Sequence, residues 1–238
     1  MHLCDLTLRS PAENLAADEA LLDFCEAGRA HELLRFWEPT GYFVVVGYAN
    51  KISAEVNLPF CRGQGIPVYR RCTGGGTVLQ GPGVLNYSLV LRISDRSTGL
   101  GIPATNEFVL GRHQRALSTL LRRPVQREGH TDLAIDSLKF SGNAQRRRKH
   151  CLLFHGSFLL DLDLDLVAKT LAFPSQQPHY RNHRAHVDFL TNLGIPADPL
   201  KSTLASAWNA TSPLSDPPLT EITTLASKYS TEEWNCKF

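Results

Sequence analysis

The sequence lacks paired cysteines, long apolar runs and a large excess of one charge. Its six cysteines, at positions 4, 25, 61, 72, 151 and 236, are scattered without a CxxC pair, so neither a zinc ribbon nor a disulfide framework is indicated. No segment approaches the ~20 consecutive apolar residues that a membrane-spanning helix needs. We therefore expect reduced thiols, a cytoplasmic location and no membrane partner.

The balance of charges excludes a strong whole-protein field. The 25 Lys and Arg residues against 23 Asp and Glu give a formal net charge of +2. We expect no nucleic acid as partner, and any basic chemistry must be local. The first ten residues, MHLCDLTLRS, lack the basic-then-apolar pattern of a secretion signal. With 238 residues and 42% hydrophobic content, we expect one large domain with a sizeable core.

The order of predicted elements indicates an α+β fold. A helix begins after Ser10, which can cap it, with Pro11 at the first helical position, Glu13 able to close a capping box, and Gly28 at its end. Strands dominate the first two-thirds of the chain and helices the last third, which favours a mixed or antiparallel sheet flanked by helices. The predicted strands are 2–9, 33–38, 42–47, 66–71, 85–92, 124–127, 133–136, 138–146 and 151–160.

Three consecutive glycines stand out in RRCTGGGTVLQGPGVLNYS, residues 70–88. Each costs roughly 0.5–1 kcal/mol relative to Ala in regular structure, so such a run indicates φ > 0 or a close approach. The flanks are typical of strands, and consecutive backbone N–H groups can hold an anion. The run is neither GxGxxG nor a P-loop. Arg70 and Arg71 are adjacent on a strand and should point to opposite faces, so at most one reaches the site.

A second candidate region is KFSGNAQRRRKHCLLFHGS, residues 139–157, which has the pattern of a strand, a turn and a strand. The basic block at its tip, residues 146–150, is either a solvated hairpin end or a patch that steers an acidic or phosphate-bearing partner. Lys139 differs, because it is a lone cation between Leu138 and Phe140. From the residues alone it is either a surface lysine or the cation of a site.

Other patterns favour structural interpretations. DLDLDL, residues 161–166, resembles the start of an EF-hand, but Leu166 takes the place of the turn glycine, so a capped helix start is favoured. His179, His183 and His186 have the spacing of one helical face, yet no HExxH accompanies them and the local sequence favours irregular backbone. We expect no metal site.

Several motifs occur in a recognisable order along the chain: NLAADEALL (14–22), RRCTGGGTVLQGPGVLNYS (70–88), GHTDL (129–133), KFSGNAQRRR (139–148), HGSFLLDLD (155–163) and YSTEEWN (229–235). Together they resemble the lipoate–protein ligase and lipoyl/octanoyl transferase family. The resemblance implies a mixed-sheet α+β fold like that of class II aminoacyl-tRNA synthetases and biotin ligases, although the GRGRxGR-type loop of the biotin ligases is absent. It also implies a single catalytic domain over residues 1–238, without a C-terminal accessory domain.

The resemblance implies activation of lipoate or octanoate with ATP and Mg²⁺ to an acyl-adenylate, followed by transfer to a lysine of a lipoyl carrier domain. Bringing a carboxylate to the α-phosphate joins two anions, whose repulsion must be neutralised. Lys139 matches the family's central lysine and would be the catalytic cation, while Asp132 is a candidate for magnesium or adenine-side contacts. The implied binding residues are Arg71, Thr73, Gly74, Gly75, Gly76, Thr77, Gln80, Asn86, Asp132, Ser141, Gly142, Ala144, His155 and Gly156.

Departures from the family pattern leave alternatives open. Gln80-Gly81 replaces the His-Asp of many ligases, and Val84 replaces an Asn. The expected lack of an accessory domain would fit a separate accessory subunit. A transferase that moves octanoyl or lipoyl groups through a thioester would need Cys72 or Cys151, because no cysteine lies between them, and buried structural cysteines are the more common outcome. A non-catalytic lipoate-binding subunit is the third hypothesis.

Overall fold

The computed structural model describes residues 1–94, 98–174 and 176–238. Within these residues the largest sheet is mixed. The first strand along the chain, residues 2–5, pairs in parallel with both of its neighbours, whereas all other pairings in this sheet are antiparallel. This confirms the predicted α+β class with a mixed sheet. In spatial order the strands are β11 (Ser212–Pro213), β1 (His2–Asp5), β2 (Leu33–Trp37), β6 (Val84–Arg92), β10 (Cys151–Leu159), β9 (Leu138–Arg147), β8 (Asp132–Ile135) and β7 (Gln126–Glu128).

A second, smaller sheet carries the glycine-rich segment. It has the order β4 (Val68–Arg70), β3 (Phe43–Val46) and β5 (Val78–Gln80), with β3 parallel to β4 and antiparallel to β5. The turn at residues 39–41 joins β2 of the main sheet to β3 of the small sheet. The two strands next to this turn, β2 and β3, are buried at every position. Their hydrophobic patterns therefore do not indicate which neighbour each strand pairs with.

The helices lie on both sides of the main sheet. Their bounds are α1 (Pro11–Glu26), α2 (Ile52–Glu55), α3 (Leu58–Gly63), α4 (Ile102–Leu121), α5 (Leu164–Thr170), α6 (His186–Phe189), α7 (Ala197–Ala207), α8 (Leu219–Tyr229) and α9 (Glu232–Asn235), with 3₁₀ turns at Thr98–Leu100 and His179–Arg181. The predicted capping box of α1 is present: the backbone N–H of Ser10 donates to Glu13 Oε2 at 2.8 Å, and that of Glu13 donates to Ser10 Oγ at 3.2 Å.

Alternate residues of the central strands bury two separate cores. Leu33 of β2 packs with α1 and α8 on one face, whereas its neighbour Leu34 packs with α4 and α7 on the other. A third cluster lies between the small sheet and α5. Because side chains alternate between the two faces of a strand, α1 packs on the face of the sheet to which Leu33 points. None of the described helices is long and apolar enough to cross a membrane.

The basic tip between β9 and β10 is folded onto α1. Arg146 Nη1 lies 3.0 Å from Glu19 Oε1, and Arg148 Nη2 lies 2.8 Å from Asp23 Oδ1. Arg147 donates to the carbonyl of Thr98 at 2.7 Å. The three arginines therefore hold this hairpin against its neighbours, whereas Lys149 and His150 are exposed and fit the predicted solvated end.

The two motifs with metal-like spacing have structural roles or irregular backbone. Asp163 Oδ1 accepts the N–H of Leu166 at 2.8 Å and caps α5, as predicted for this segment. His183 has a φ of 57°, which interrupts any common helical face with His179 and His186. In the described ranges no group of three or more His, Cys, Asp or Glu residues is arranged to hold a metal ion.

Candidate active site

A cavity between the glycine loop, residues 73–77, and strands β6, β9 and β10 brings together most of the predicted site residues. Those that line it are Arg71, Gly75, Gly76, Thr77, Gln80, Asn86, Asp132, Lys139, Gly142, Ala144, His155 and Gly156. The remaining three, Thr73, Gly74 and Ser141, are outside its described lining: Thr73 and Ser141 are buried, and Gly74 contacts Arg71 through its carbonyl.

Arg71 is a buried cation at this cavity. Its side chain donates to Thr73 Oγ1 at 3.0 Å and to the carbonyl of Gly76 at 2.8 Å, and it also donates to the carbonyl of Gly74. None of the carboxylates described forms an ion pair with it. Burial lowers the pKa of its guanidinium to about 10, which leaves it protonated at neutral pH. A buried cation balanced only by carbonyl and hydroxyl dipoles favours an anion in the adjoining space.

The neighbouring Arg70 points the other way, as the alternation of strand residues predicts. It is fully buried, and its Nη1 donates to the carbonyls of Gly47, Tyr48 and Asn50 at 2.8–3.0 Å. Of the two adjacent arginines, Arg71 is thus the one that lines the cavity.

The three glycines of the loop have different roles. Gly75 has a φ of +86°, and a Cβ there would lie 3.0 Å from Arg71 Nη2, so this position requires glycine. A Cβ added at Gly74 or Gly76 would have no atom of the described residues within 4 Å, and neither residue has a left-handed φ. Backbone strain therefore explains one glycine of the three. At Gly76, which lines the cavity, the missing side chain leaves room beside bare main chain.

A buried chain of hydrogen bonds runs from α1 to Arg71. His155 Nδ1 lies 2.8 Å from Asp18 Oδ2, and His155 Nε2 lies 2.7 Å from Thr73 Oγ1. Because Thr73 Oγ1 accepts from Arg71, its hydroxyl can donate to Nε2, and Nδ1–H then donates to Asp18. This order of donors fixes the imidazole and, through Thr73, the guanidinium of Arg71.

Asp18 is held ionised in the interior. It accepts from Arg35 Nη1 and from Ser88 Oγ, each at 2.7 Å. Burial alone would raise the pKa of its carboxyl, but the hydrogen bond from His155 and the charge of Arg35 outweigh it, so the pKa is lowered. The same burial lowers the pKa of Arg35, although Asp18 opposes that shift.

Lys139 lies at the edge of the cavity and its charge is paired. Its Nζ is 2.8 Å from Asp132 Oδ1, and Tyr180 OH donates to Asp132 Oδ2 at 2.9 Å. Burial, followed by the charge of Asp132, raises the pKa of the Tyr180 hydroxyl. A Cβ at Gly142 would lie 2.9 Å from Lys139 Nζ, so this glycine makes room for the lysine to cross β9.

Amide side chains form a self-contained cluster on the cavity wall. Gln80 Nε2 donates to Asn86 Oδ1 at 3.0 Å and Asn86 Nδ2 donates to Gln80 Oε1 at 2.8 Å. Ser157 Oγ joins them by donating to Asn86 Oδ1 at 2.6 Å. Gln80 thus contributes a neutral amide to the wall.

Asn143 is a cavity residue that the sequence analysis missed. Its Oδ1 accepts from Tyr87 OH at 2.6 Å, and its Nδ2 donates to the carbonyl of Thr131 at 2.7 Å. A Cβ at Gly156 would collide with Asn143 Oδ1, which explains the glycine. An amide next to Gly142 inside a strand was a signal that could have been used.

Asp18 was missed as well, with apolar residues that line the same cavity. Asp18 and Glu19 stand in the middle of the apolar run NLAADEALL, and charged residues are almost never fully buried unless they are paired, which was the available signal.

Apolar side chains provide a part of the wall suited to an aliphatic group. They are Leu15, Trp37, Val45 and Val78.

The thiols lie elsewhere. All six cysteines are free, and neither Cys72 nor Cys151 belongs to the described lining of the cavity. Both are buried, and burial raises the pKa of each thiol, which disfavours the thiolate needed for nucleophilic attack. The cavity offers Arg71, which pairs with none of the described carboxylates, the ion pair of Lys139 with Asp132, neutral amides, backbone groups and an apolar wall.

Comparison with known proteins agrees with the motif order. The lipoyl protein ligase A/B catalytic domain model matches residues 10–204. The octanoyltransferase LipM of Brevibacillus brevis is 30% identical over 198 residues, which cover 72% of this chain and 70% of LipM. Lipoate-protein ligase A subunit 1 of Thermoplasma acidophilum is 28% identical over 253 residues, which cover 97% of this chain and 95% of that protein.

Solved structures agree with the fold. The bi-partite lipoate protein ligase of Thermoplasma acidophilum superimposes with a TM-score of 0.81 at 24% identity, over 99% of this chain and 95% of the other. A lipoate-protein ligase A bound with ATP superimposes with a TM-score of 0.80 at 25% identity, over 99% of this chain and 98% of the other. Motif order, mixed-sheet fold and family match coincide, and the chain belongs to the lipoyl protein ligase A/B catalytic domain family.

Proposed function

We propose that this protein is an ATP-dependent lipoate–protein ligase, which activates lipoate or octanoate to an acyl-adenylate and transfers the acyl group to a lysine of a lipoyl carrier domain. One observation carries the proposal: Arg71, a buried cation with no acidic partner in the described structure, lines the same cavity as Lys139. Two cations beside an apolar wall suit an acyl chain joined to a phosphate anion.

In the first step, a carboxylate oxygen of the acid attacks the α-phosphorus of ATP, and pyrophosphate leaves with the electron pair of the broken P–O bond. Lys139 and Arg71 would offset the repulsion between the two anions, which is largest in a cavity that excludes water. In the second step, the carrier lysine attacks the acyl carbonyl, AMP leaves, and the amine loses a proton. The mixed anhydride stores the activation, so this route needs no nucleophile on the enzyme.

Magnesium enters this proposal with the nucleotide. Asp132 uses one carboxylate oxygen for Lys139 and the other for Tyr180. The described residues contain no group of three or more His, Cys, Asp or Glu side chains that could hold a metal ion by itself, which leaves Asp132 as the carboxylate that could join a phosphate-bound Mg²⁺ ion. Mg²⁺ is commonly bound through substrate phosphates together with one or two carboxylates, and we assign it to the MgATP substrate.

The partners follow from the proposed reaction. One solved relative is described as a bi-partite ligase with its E2 lipoyl domain, and another relative is named as subunit 1 of a ligase. These descriptions support a lipoyl carrier domain as the protein substrate of this chain. They also support a separate accessory subunit for the adenylation step.

A second candidate is octanoyl transfer between carrier proteins, which the similarity to LipM favours. A thioester route would use a thiolate near the acyl carbonyl. Cys72 and Cys151 are both buried, with exposed fractions of 6% and 2%. The positions of these thiols support the ligase over the transferase, as does the absence of any other cysteine between residues 72 and 151.

A donor comparison tests the proposal. Apo carrier domain would be incubated with the protein and one of three donors: lipoate with MgATP, preformed lipoyl-adenylate, or an octanoylated acyl carrier protein. Intact-protein mass spectrometry would then score acylation of the carrier lysine. We expect the preformed lipoyl-adenylate to modify the carrier lysine. We expect lipoate with MgATP to modify it as well if this chain forms the adenylate without an accessory subunit. Modification by the acyl carrier donor alone would refute the ligase.

A further inference from the structure

The free edge of β4 is covered by side chains from α9. In the small sheet β4 pairs with β3, and none of the other described strands pairs with the outer backbone groups of Arg70. The N–H of Arg70 donates to Asn235 Oδ1 at 2.8 Å, and its carbonyl accepts from Trp234 Nε1 at 2.8 Å. The two side chains thus supply the donor and the acceptor that a further strand would have provided.

The guanidinium of Arg70 extends this contact to a second loop. Its Nε donates to the carbonyl of Asn235 at 3.1 Å. Its Nη1 donates to three carbonyls within residues 47–50, at distances of 2.8–3.0 Å. Arg70 therefore ties α9 to the loop over residues 47–50, using a cation that never reaches the cavity.

Residues 47–50 in turn hold the glycine loop. The N–H of Tyr48 donates to the carbonyl of Thr73 at 2.8 Å, and Asn50 Nδ2 donates to the carbonyl of Gly75 at 3.1 Å. A Cβ at Gly47 would collide with that same carbonyl of Gly75. The two loops are thus in direct backbone contact next to Arg71.

The segment that supplies Trp234 and Asn235 is itself anchored. Asn235 Nδ2 donates to the carbonyl of Tyr229 at 2.9 Å, and Tyr229 OH donates to Glu19 Oε2 at 2.8 Å. Thr231 caps α9 by accepting the N–H of Trp234 at 3.2 Å. A continuous set of bonds therefore links α1, residues 229–235, Arg70 and the glycine loop.

We propose that Trp234 and Asn235 are positioning residues for the glycine loop. They act through Arg70 and residues 47–50, and they set the geometry in which Arg71 and the loop meet an anionic ligand. Neither side chain lines the cavity, so their effect on binding is indirect. The part of this inference that concerns the ligand rests on the proposed function, whereas the part that concerns the loop stands on the geometry alone.

The test uses the full chain with Trp234→Phe, Asn235→Ala and their combination. Trp234→Phe keeps an aromatic ring and removes the indole N–H. The matched control is Trp208→Phe, which removes an indole N–H that donates to His113 Nε2 at 2.8 Å on the other face of the sheet. Hydrogen exchange would be followed at the amides of Tyr48 and Arg71, which donate to Thr73 and Val46.

We expect both amides to exchange at least tenfold faster in the double variant and at the wild-type rate in Trp208→Phe. We also expect the dissociation constant of a non-hydrolysable lipoyl-adenylate analogue to rise at least tenfold in the double variant and to stay unchanged in the control. Unchanged exchange in the double variant, or equal acceleration in the control, would overturn the positioning role. If the wild type does not bind the analogue, the proposed function fails, and the exchange rates alone decide this inference.

Discussion

The ammonium nitrogen of Lys139 lies 2.8 Å from Asp132 Oδ1, and its side chain crosses directly over Gly142. The positive charge at the cavity edge is therefore balanced by a carboxylate. An anionic ligand that displaces Asp132 would pair with an ammonium group that Asp132 has already positioned. Arg71 has no carboxylate partner in the described structure, so it is the cavity cation whose charge no carboxylate balances.

Gly76→Ala tests whether the glycine loop leaves room for a ligand. Because no atom in the described part of the chain lies within 4 Å of the added methyl group, the free energy of unfolding should not fall. The methyl group enters the cavity wall, so binding of the adenylate analogue should weaken at least tenfold. Calorimetric titration and urea unfolding measure the two quantities. Gly63→Ala in α3, also without a neighbour within 4 Å, should leave binding unchanged, and a loss in that control would show that the assay reports general damage.

The double variant Cys72→Ala, Cys151→Ala tests the thioester route. Both thiols are buried and lie outside the described cavity lining, so the rate of carrier acylation should equal that of the wild type. Quantitative mass spectrometry of the carrier measures it. A loss of several orders of magnitude in a folded double variant would favour the transferase.

Asp18→Asn should be strongly destabilising. The change leaves the fully buried Arg35 without its carboxylate, and breaking a buried ion pair costs about 3–5 kcal/mol. The comparison is Arg123→Ala, whose exposed pair with Asp136 should contribute less than about 1 kcal/mol. Urea denaturation measures both free energies of unfolding. Equal losses in the two variants would contradict the structural role given to Asp18.

His113 predicts a pH dependence of stability. Burial, followed by the charge of Arg112, lowers the pKa of its imidazole to about 3, against an ordinary value of 6.5. Between these two values the unfolded chain therefore binds a proton at His113 that the folded protein does not bind. The free energy of unfolding should fall as the pH drops from 6.5 towards 3. One such proton gives a slope of up to about 1.4 kcal/mol per pH unit.

His113→Phe should remove this part of the slope. Denaturant unfolding of both proteins between pH 7 and pH 5 makes the comparison, and only the slope matters, because the variant also loses the bond to Trp208 Nε1. Parallel stability curves would show that His113 does not titrate as its burial requires.

Features decided by neighbouring residues could be predicted from the sequence. The capping box of α1 depends on Ser10 and Glu13, three positions apart, and the opposite directions of Arg70 and Arg71 follow from the geometry of a strand. The motif order predicted the family, and it placed Lys139 and the glycine loop in one site; both line the same cavity.

Features decided by distant residues could not be predicted. Arg146 pairs with Glu19 across 127 positions of sequence, so the basic block at the hairpin tip gave no sign that α1 would pair with two of its arginines. The short strands β5 and β11 were missed, and β1 ends at Asp5 rather than at residue 9. Asn143 and Trp234 owe their roles to partners in other elements, which local patterns do not reveal.

The most direct test of the account is calorimetric titration of the lipoyl-adenylate analogue into the wild type and into Lys139→Met, with the exposed Lys149→Met as control. The account predicts one site per chain in the wild type, at least tenfold weaker binding in Lys139→Met, and unchanged binding in Lys149→Met. Equal affinity in the wild type and Lys139→Met, with both proteins folded, would contradict the claim that this ammonium neutralises the bound anion.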